Sequence, residues 1–163
     1  MTRVHSSRPS PSNDVSKDIE NHIKSLKSLA DYSVRELVQH SRLFGVALRE
    51  QRLETNQIRK FLDAINQIKA KAIDERARIL ADKDTRQLTE EYLKIVETKV
   101  FNAIESDIVL LKPKLAYAAT RQNAVEPLQR VMSAAIDKTY NPEDFKRLVQ
   151  LIESIIAYHK GGN

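Results

Sequence analysis

Glycine is scarce in this chain, and the scarcity limits the folds that are open to it. Only three glycines occur among the 163 residues, at Gly45, Gly161 and Gly162. Tight β-hairpin turns and phosphate-binding loops depend on glycine, because their backbones need positive φ angles. Apolar residues also recur at steps of three and four along most of the chain, as on one face of a helix. The sequence therefore predicts an all-α fold, a compact bundle of about five or six helices with a disordered N-terminal tail.

Three segments of different composition predict the domain organisation. Residues 1–12 are rich in Ser, Pro and Arg and have no apolar period, which indicates a flexible tail. Residues 13–33 show a helical pattern of moderate strength and are predicted to form an accessory helix. Residues 34–163 are predicted to form the helical-bundle domain, in which Pro113 should end a long helix at Lys112. Gly45 lies inside an early helix of that domain, where it should allow close packing or a slight bend.

Composition excludes several kinds of protein and site. A chain without cysteine forms neither disulfides nor thiolate metal sites. No apolar run approaches the roughly 20 residues of a membrane span, and the N-terminus lacks the apolar segment of a secretion signal. The four histidines are scattered, without the partners that a zinc-binding helix needs. We therefore expect a cytoplasmic protein that has no membrane association, no metal and no cofactor.

Patterns typical of catalysis are also missing from the sequence. The serines concentrate near the N-terminus, and no nucleophile motif surrounds them. Asn141 is the predicted N-cap of the last helix and Pro142 its first residue, so we interpret Glu143 and Asp144 as favourable charges at a helix start. The sequence predicts a binding protein and not an enzyme.

The positive charge of this chain is unevenly distributed. The formal net charge is +5, and residues 1–81 hold 15 Lys and Arg against 10 Asp and Glu. Residues 42–71 carry seven bases against three acids, and Lys60, Gln67 and Lys71 should share one polar helix face with Arg59 at its flank. Such a face is either an ordinary solvated surface or a surface that suits a phosphate chain.

A second basic segment, residues 108–121, joins an apolar run to three cations without an acid between them. If a helix resumes after Pro113, Lys114 and Arg121 share a face, with Tyr117 at its edge. Charged residues are mostly exposed, so this segment is either a broken helix with solvated lysines or a surface for an anion. We predict that Tyr117 packs against the protein with its hydroxyl at the rim, because it is isolated from other aromatic residues.

Three blocks of the sequence resemble the small subunit of type III-A CRISPR Csm effector complexes. They are residues 55–62 (TNQIRKFL), residues 111–121 (LKPKLAYAATR), and residues 143–145 (EDF) with 153–160 (ESIIAYHK). The resemblance covers about residues 34–162. One departure is Thr120, where the family usually has glycine before the arginine, and this puts the local backbone in question because threonine resists a left-handed conformation.

The resemblance implies a helical, non-catalytic subunit that stacks in several copies beside the subunits holding the CRISPR RNA. Cleavage of target RNA would belong to the backbone subunit, and DNA cleavage and cyclic oligoadenylate synthesis to the large subunit. The implied partners are the CRISPR RNA and target RNA backbone, other Csm complex subunits and copies of the chain itself. Because base pairing reads the sequence, such a subunit needs Lys and Arg for phosphates but no base-reading side chains.

The cations in the basic segments are the predicted RNA contacts. On the pattern and the resemblance together, we predict that these residues contact the RNA sugar-phosphate backbone without sequence preference: Arg52, Arg59, Lys60, Lys112, Lys114 and Arg121.

Two alternatives remain open from the sequence. The chain is a protein–protein scaffold without direct RNA contact, or a helical DNA-binding regulator, since basic helices also enter major grooves.

Overall fold

The structure, a computed structural model, describes residues 11–161. The predicted all-α class is confirmed, because this part of the chain forms helices and turns without a strand. The α-helices are α1 Pro11–Ser25, α2 Val34–Glu50, α3 Thr55–Leu80, α4 Glu90–Val109, α5 Leu111–Arg121, α6 Glu126–Asp137 and α7 Pro142–Gly161. Short 3₁₀ turns lie at Leu29–Asp31, Thr85–Gln87 and Asn123–Val125.

The helices pack around one apolar core. α2 packs along α7, α3 packs along α4, α5 packs on α6, and α1 lies against α6 and α2. The amphipathic spacing explains this arrangement, since each helix buries one apolar stripe. The largest fully buried side chains come from five of the helices and from the segment between α1 and α2: Ile19, Ile23, Leu29, Tyr32, Leu37, Phe44, Leu48, Ile58, Ile65, Ile104, Ile108 and Leu111. No helix within residues 11–161 is both long enough and apolar enough to cross a membrane.

The apolar core continues across the predicted boundary at residue 33. Most of the predicted tail, residues 1–10, lies outside the described part of the chain, and α1 begins at Pro11 rather than Asn13. α1 ends at Ser25, so the predicted accessory helix is a helix followed by a turn. Ile19 and Ile23 are buried in the same core as the later helices. The division into an accessory helix and a bundle domain stays a prediction, but no gap in the packing marks it.

Asp144 fastens the turn after α1 to the start of α7. Its carboxylate is fully buried and accepts hydrogen bonds from the Ser28 hydroxyl, from the Ala30 backbone N–H at 2.7 Å and from the Tyr140 N–H at 2.9 Å. The Asp144 backbone N–H in turn donates to Asn141 Oδ1 at 2.8 Å, which is the N-cap geometry predicted for this helix. Asp144 therefore does more than place charge at a helix start, because it joins segments more than 100 residues apart in sequence.

An ion pair joins α3 to α4 on the outside of the bundle. The Arg76 guanidinium donates to both carboxylate oxygens of Glu97, at 2.6 and 2.9 Å. These hydrogen bonds hold the pKa of Glu97 below its usual value. The pair therefore links α3 to α4 at the protein surface.

Candidate nucleic-acid interface

A groove between α3 and α5 brings together cations from both basic segments of the sequence. We call it the α3–α5 groove, and its volume is about 720 Å³. Its lining consists of Gln57, Lys60, Phe61, Ala64, Leu111, Lys114, Leu115, Tyr117, Ala118, Arg121, Gln122, Val125 and Leu128. Lys60 comes from α3, and Lys114 and Arg121 come from α5. None of these described lining residues is acidic, so the groove has the charge that attracts phosphate.

The packing of the neighbouring helices leaves the space between α3 and α5 open. α3 packs on α4, while α5 packs on α6, so each of the two groove helices has a different helix as its main packing partner. Leu111 and Leu115 are buried and hold α5 on the core. At roughly 100° per residue, Lys114 and Arg121 then lie on nearly the same side of α5. The apolar spacing of α5 therefore places its two cations on one wall of the groove.

Pro113 shapes α5 in a way that differs from the prediction. We predicted that the preceding helix ends at Lys112, but α4 ends at Val109 and α5 begins at Leu111. Pro113 is thus the third residue of α5. The first four N–H groups of a helix have no acceptor within it, so proline in the first turn loses no hydrogen bond. The helix is interrupted at Leu110 instead, so the proline ring does not clash with the last turn of α4.

A second depression continues the groove toward α4. It encloses about 220 Å³ and shares Ala64, Leu111 and Lys114 with the α3–α5 groove. Lys71 lies here as the helical spacing predicted, but its ammonium is 2.7 Å from Asp107 Oδ2 on α4. An ion pair of this kind reduces the positive potential that Lys71 offers to a phosphate. No local pattern in the sequence indicates this pair, since its members are 36 positions apart.

Three of the six predicted contact residues lie away from the α3–α5 groove. Arg59 is exposed, but the helical turn places it on the side of α3 opposite Gln57 and Ala64. The Lys112 ammonium forms an ion pair with Asp137 at the end of α6. Arg52 lies in a shallow depression at the start of α6. The role of all six as RNA contacts stays a prediction, but the structure brings only Lys60, Lys114 and Arg121 together.

The depression around Arg52 differs in charge from the α3–α5 groove. Glu50 and Glu126 line it together with Arg52, so one cation there faces two acids. The predicted Arg52 contact therefore has less positive potential around it than Lys60 or Lys114.

Tyr117 does not pack as we predicted. Its side chain is 62% exposed, and its hydroxyl accepts a hydrogen bond from Arg121 Nη1 at 2.6 Å. The guanidinium carbon lies over the ring, 5.6 Å from its centroid, as in a cation–π contact. The prediction that Tyr117 is a packing residue is wrong, because the residues that anchor α5 are Leu111 and Leu115 on the other side of the helix.

Thr120 causes no backbone strain in α5. It lies in the last turn of this right-handed helix, and its hydroxyl donates to the Tyr117 carbonyl at 2.7 Å. Among the described residues, Arg52 is the non-glycine residue with a positive φ. Threonine therefore fits this position without a left-handed conformation, and the predicted conflict with the family pattern does not occur.

The groove offers hydrogen-bond donors that the sequence did not single out. Gln57 and Gln122 line it from its two sides, and each has an amide that can donate and accept. Among residues 14–161, no group of three or more His, Cys, Asp or Glu side chains is placed to hold a metal ion. The chemistry of the groove is therefore that of cations, amides and apolar side chains.

Comparison with known protein families decides the affiliation of the chain. The family described as Csm2 Type III-A matches residues 31–162. The chain belongs to this Csm2 family. It is a small subunit of the type III-A CRISPR Csm effector complex, as the resemblance predicted. No curated protein and no solved structure gives a significant match.

The family match covers α2 to α7 and begins after α1. All of the residues that line the α3–α5 groove lie inside it. α1 lies before the matched region, although its apolar side chains are part of the same core.

Proposed function

We propose that this Csm2-family subunit binds the sugar-phosphate backbone of the guide and target RNA in the α3–α5 groove, without sequence preference. It does so as a non-catalytic part of a cytoplasmic ribonucleoprotein in antiviral defence, where it stacks in several copies beside other Csm subunits. The observation that carries this proposal is the convergence of Lys60, Lys114 and Arg121 on one groove that no acid lines.

Electrostatics favour RNA as the ligand of this groove. Each phosphate that a lysine or arginine neutralises releases condensed counterions, and this release drives nucleic-acid binding at low salt. Lys114 and Arg121 are separated by two helical turns, roughly 10 Å along the axis of α5, so they meet different phosphates of one strand. Contacts of this kind position a backbone and carry no sequence information, which suits a complex in which base pairing reads the target.

A non-catalytic role is supported by the side chains in the groove. Its described lining contains cations, amides, a phenol and apolar groups, without a carboxylate or histidine for acid–base chemistry. The lysines and arginine suffice to hold a phosphate chain. The side chains needed to activate a nucleophile are not grouped there.

Stacking with other subunits is supported by apolar side chains on the outside of α4. Ile95 and Val109 lie on nearly the same side of α4 and are each at least half exposed, and Leu110, just after the helix, is half exposed as well. Exposed apolar residues on one side of a helix favour a protein contact, because burying them removes apolar surface from water. We propose that α4 and the turn that follows it contact a neighbouring subunit.

The groove is tested by replacing Lys60, Lys114 and Arg121 together with alanine. The matched control replaces Lys17, Lys27 and Lys99, three exposed lysines outside the groove, so that both variants lose three positive charges. Binding of single-stranded RNA to the full chain is measured by fluorescence anisotropy between 50 and 300 mM salt, roughly the range where phosphate contacts dominate. Circular dichroism checks that both variants keep the helical fold.

The groove variant should bind RNA more weakly by roughly 100-fold near 0.1 M salt, since each contact contributes about 0.7 to the slope of log K against log salt. The slope itself should fall by about 2. The loss should be equal for unrelated RNA sequences, and the control should change little.

An equal loss in the control variant would contradict the groove as the binding site. Unchanged RNA affinity with lost copurification of Csm subunits would favour the scaffold alternative. Preference for one duplex DNA sequence would favour the regulator alternative.

A further inference from the structure

The floor of the α3–α5 groove is apolar, and phosphate contact does not account for it. Phe61, Leu115, Val125 and Leu128 line the groove below its charged rim. Phosphate is strongly hydrated and gains nothing from an apolar wall. A pocket of several hundred Å³ with an apolar floor and a few polar groups at its edge is typical of a site for a flat organic ligand.

Tyr117 adds an open aromatic surface to the same groove. It is the aromatic side chain on the exposed side of α5, and 62% of its surface is accessible. Arg121 donates to its hydroxyl and lies over one side of the ring, which restrains the ring and leaves its other side for a ligand. Exposure of the apolar ring surface to water is unfavourable, and a ligand stacked on the ring would remove part of that surface from water.

We infer that the α3–α5 groove receives the base of an unpaired RNA nucleotide against the ring of Tyr117, while Lys60, Lys114 and Arg121 hold the adjoining phosphates. The inference rests on the proposed function and names the part of the RNA that enters this site. Single-stranded RNA matches the two features of the groove, because its flat bases can stack on an aromatic ring and its anionic backbone can contact the cations.

Stacking on Tyr117 is tolerant of sequence. Every base has a π-face, so an aromatic platform gains affinity from each of them. The amides of Gln57 and Gln122 are able to donate to or accept from any base edge, because each carries both kinds of group. The groove thus favours unpaired over paired nucleotides without reading the sequence, since a base inside a duplex is already stacked.

Arg121 has a positioning role in addition to its charge. Its Nη1 is bound to the Tyr117 hydroxyl, so its remaining N–H groups stay available for a phosphate. The same side chain therefore restrains the Tyr117 ring and contacts a phosphate of the RNA backbone beside it.

The test separates stacking from charge by comparing two RNA strands of equal length and charge. One is an ordinary single strand, and the other carries abasic sites along its length, so that only the bases differ. The full chain is compared with Tyr117→Ala and Tyr117→Phe, and with the groove variant that lacks Lys60, Lys114 and Arg121. Anisotropy gives the affinities and their salt slopes, and circular dichroism checks folding. Tyr117 is exposed, so its replacement leaves the core packing unchanged.

Tyr117→Ala should weaken binding of the ordinary strand by about 5- to 150-fold, the range measured for loss of one stacking partner. The same variant should bind the abasic strand as the parent chain does, with an unchanged salt slope. Tyr117→Phe should keep most of the affinity, because it keeps the ring.

Equal binding of both strands by the parent chain, with no effect of Tyr117→Ala, would overturn the base site. If the lysine and arginine replacements still weaken binding in that case, the proposed RNA-backbone function stands alone. If those replacements have no effect either, both proposals fail.

A free nucleotide is the other source of the same chemistry. Adenosine monophosphate is therefore added as a competitor, up to concentrations that would saturate a site for small ligands. No displacement of the ordinary strand is expected, because a mononucleotide engages fewer of the three cations. Displacement that depends on Tyr117 would overturn RNA as the occupant and assign the groove to free nucleotides.

Discussion

At the scale of single residues, Arg52 has a backbone conformation that does not suit its side chain. Its φ is 63°, in the left-handed region that glycine favours. The Leu53 N–H donates to the Leu48 carbonyl at 3.0 Å, and the Arg52 N–H donates to the Arg49 carbonyl at 3.0 Å. These two bonds form the Schellman motif that ends α2, in which the left-handed position is usually glycine. The local fold therefore requires this conformation whatever Arg52 contacts.

Arg52→Gly should stabilise the protein by about 1 kcal/mol, because it relieves a side chain held in the left-handed region. Urea unfolding followed by circular dichroism measures the change in the free energy of unfolding. Arg59→Gly is the opposite case, since Arg59 lies inside α3, and it should destabilise by about 1 kcal/mol. A loss of stability in Arg52→Gly would mean that the Arg52 side chain makes contacts stronger than the strain.

At the scale of helices, the packing of α2 on α7 depends on the absence of a side chain at Gly45. A Cβ at this position would lie 2.7 Å from the Ile155 carbonyl oxygen and 2.8 Å from the His159 nitrogen. Both are backbone atoms of α7, which cannot move aside as the end of a flexible side chain can. The close packing predicted for Gly45 is therefore confirmed, and α7 is the helix against which it packs.

Gly45→Ala should destabilise the protein by about 2 to 3 kcal/mol, because the added methyl group forces the two helices apart. The improved helix propensity of alanine offsets only part of this loss. Thermal and urea unfolding give the difference in stability.

Gly161→Ala is the matched control, since an added Cβ there meets no atom within 4 Å. Its stability should stay equal to that of the parent chain or rise slightly. If Gly45→Ala behaved like this control, α2 would not lie against α7 as the structure shows.

At the scale of the whole molecule, a polar cluster ties the N-terminal segment to the bundle and makes stability depend on pH. Tyr32 is fully buried, and its hydroxyl is hydrogen-bonded to His40 Nδ1 at 2.5 Å. His22 of α1 lies against both rings, with ring centroids 4.9 Å from Tyr32 and 5.2 Å from His40. Burial raises the pKa of Tyr32, so its hydroxyl stays protonated.

The stability of the protein should fall as the pH drops below about 6.5, the ordinary pKa of histidine. Burial, followed by the nearby His22, lowers the pKa of His40, and these effects outweigh the opposing influence of Glu36 and Asp18. Below pH 6.5 the unfolded chain therefore binds a proton at His40 more readily than the folded chain, which favours unfolding.

Urea unfolding at several pH values between 5 and 8 measures this dependence. In His40→Gln the decline on the acid side should shrink, because the titrating group is gone while an acceptor for the Tyr32 hydroxyl remains. An equally steep decline in this variant would assign the pH dependence to another group.

The fold class and most of the helices follow from local patterns in the sequence. The scarcity of glycine and the three-and-four spacing of apolar residues are local properties, and a helix is stabilised by contacts between residues close in sequence. The same local logic predicted the N-cap Asn141 and the placement of Lys114 and Arg121 on one face of α5. The three blocks of resemblance were also local, and they predicted the family correctly.

The packing of the helices, in contrast, determines which cations remain open to an anionic ligand and which groups lie beside them. Lys71 pairs with Asp107 and Lys112 pairs with Asp137, across 36 and 25 sequence positions. The exposure of Tyr117 and the apolar floor of the α3–α5 groove arise in the same way, from where α3, α5 and α6 meet. The physical reason is that helix periodicity fixes directions within one helix, while charge pairing and burial depend on distances between helices that no local pattern contains.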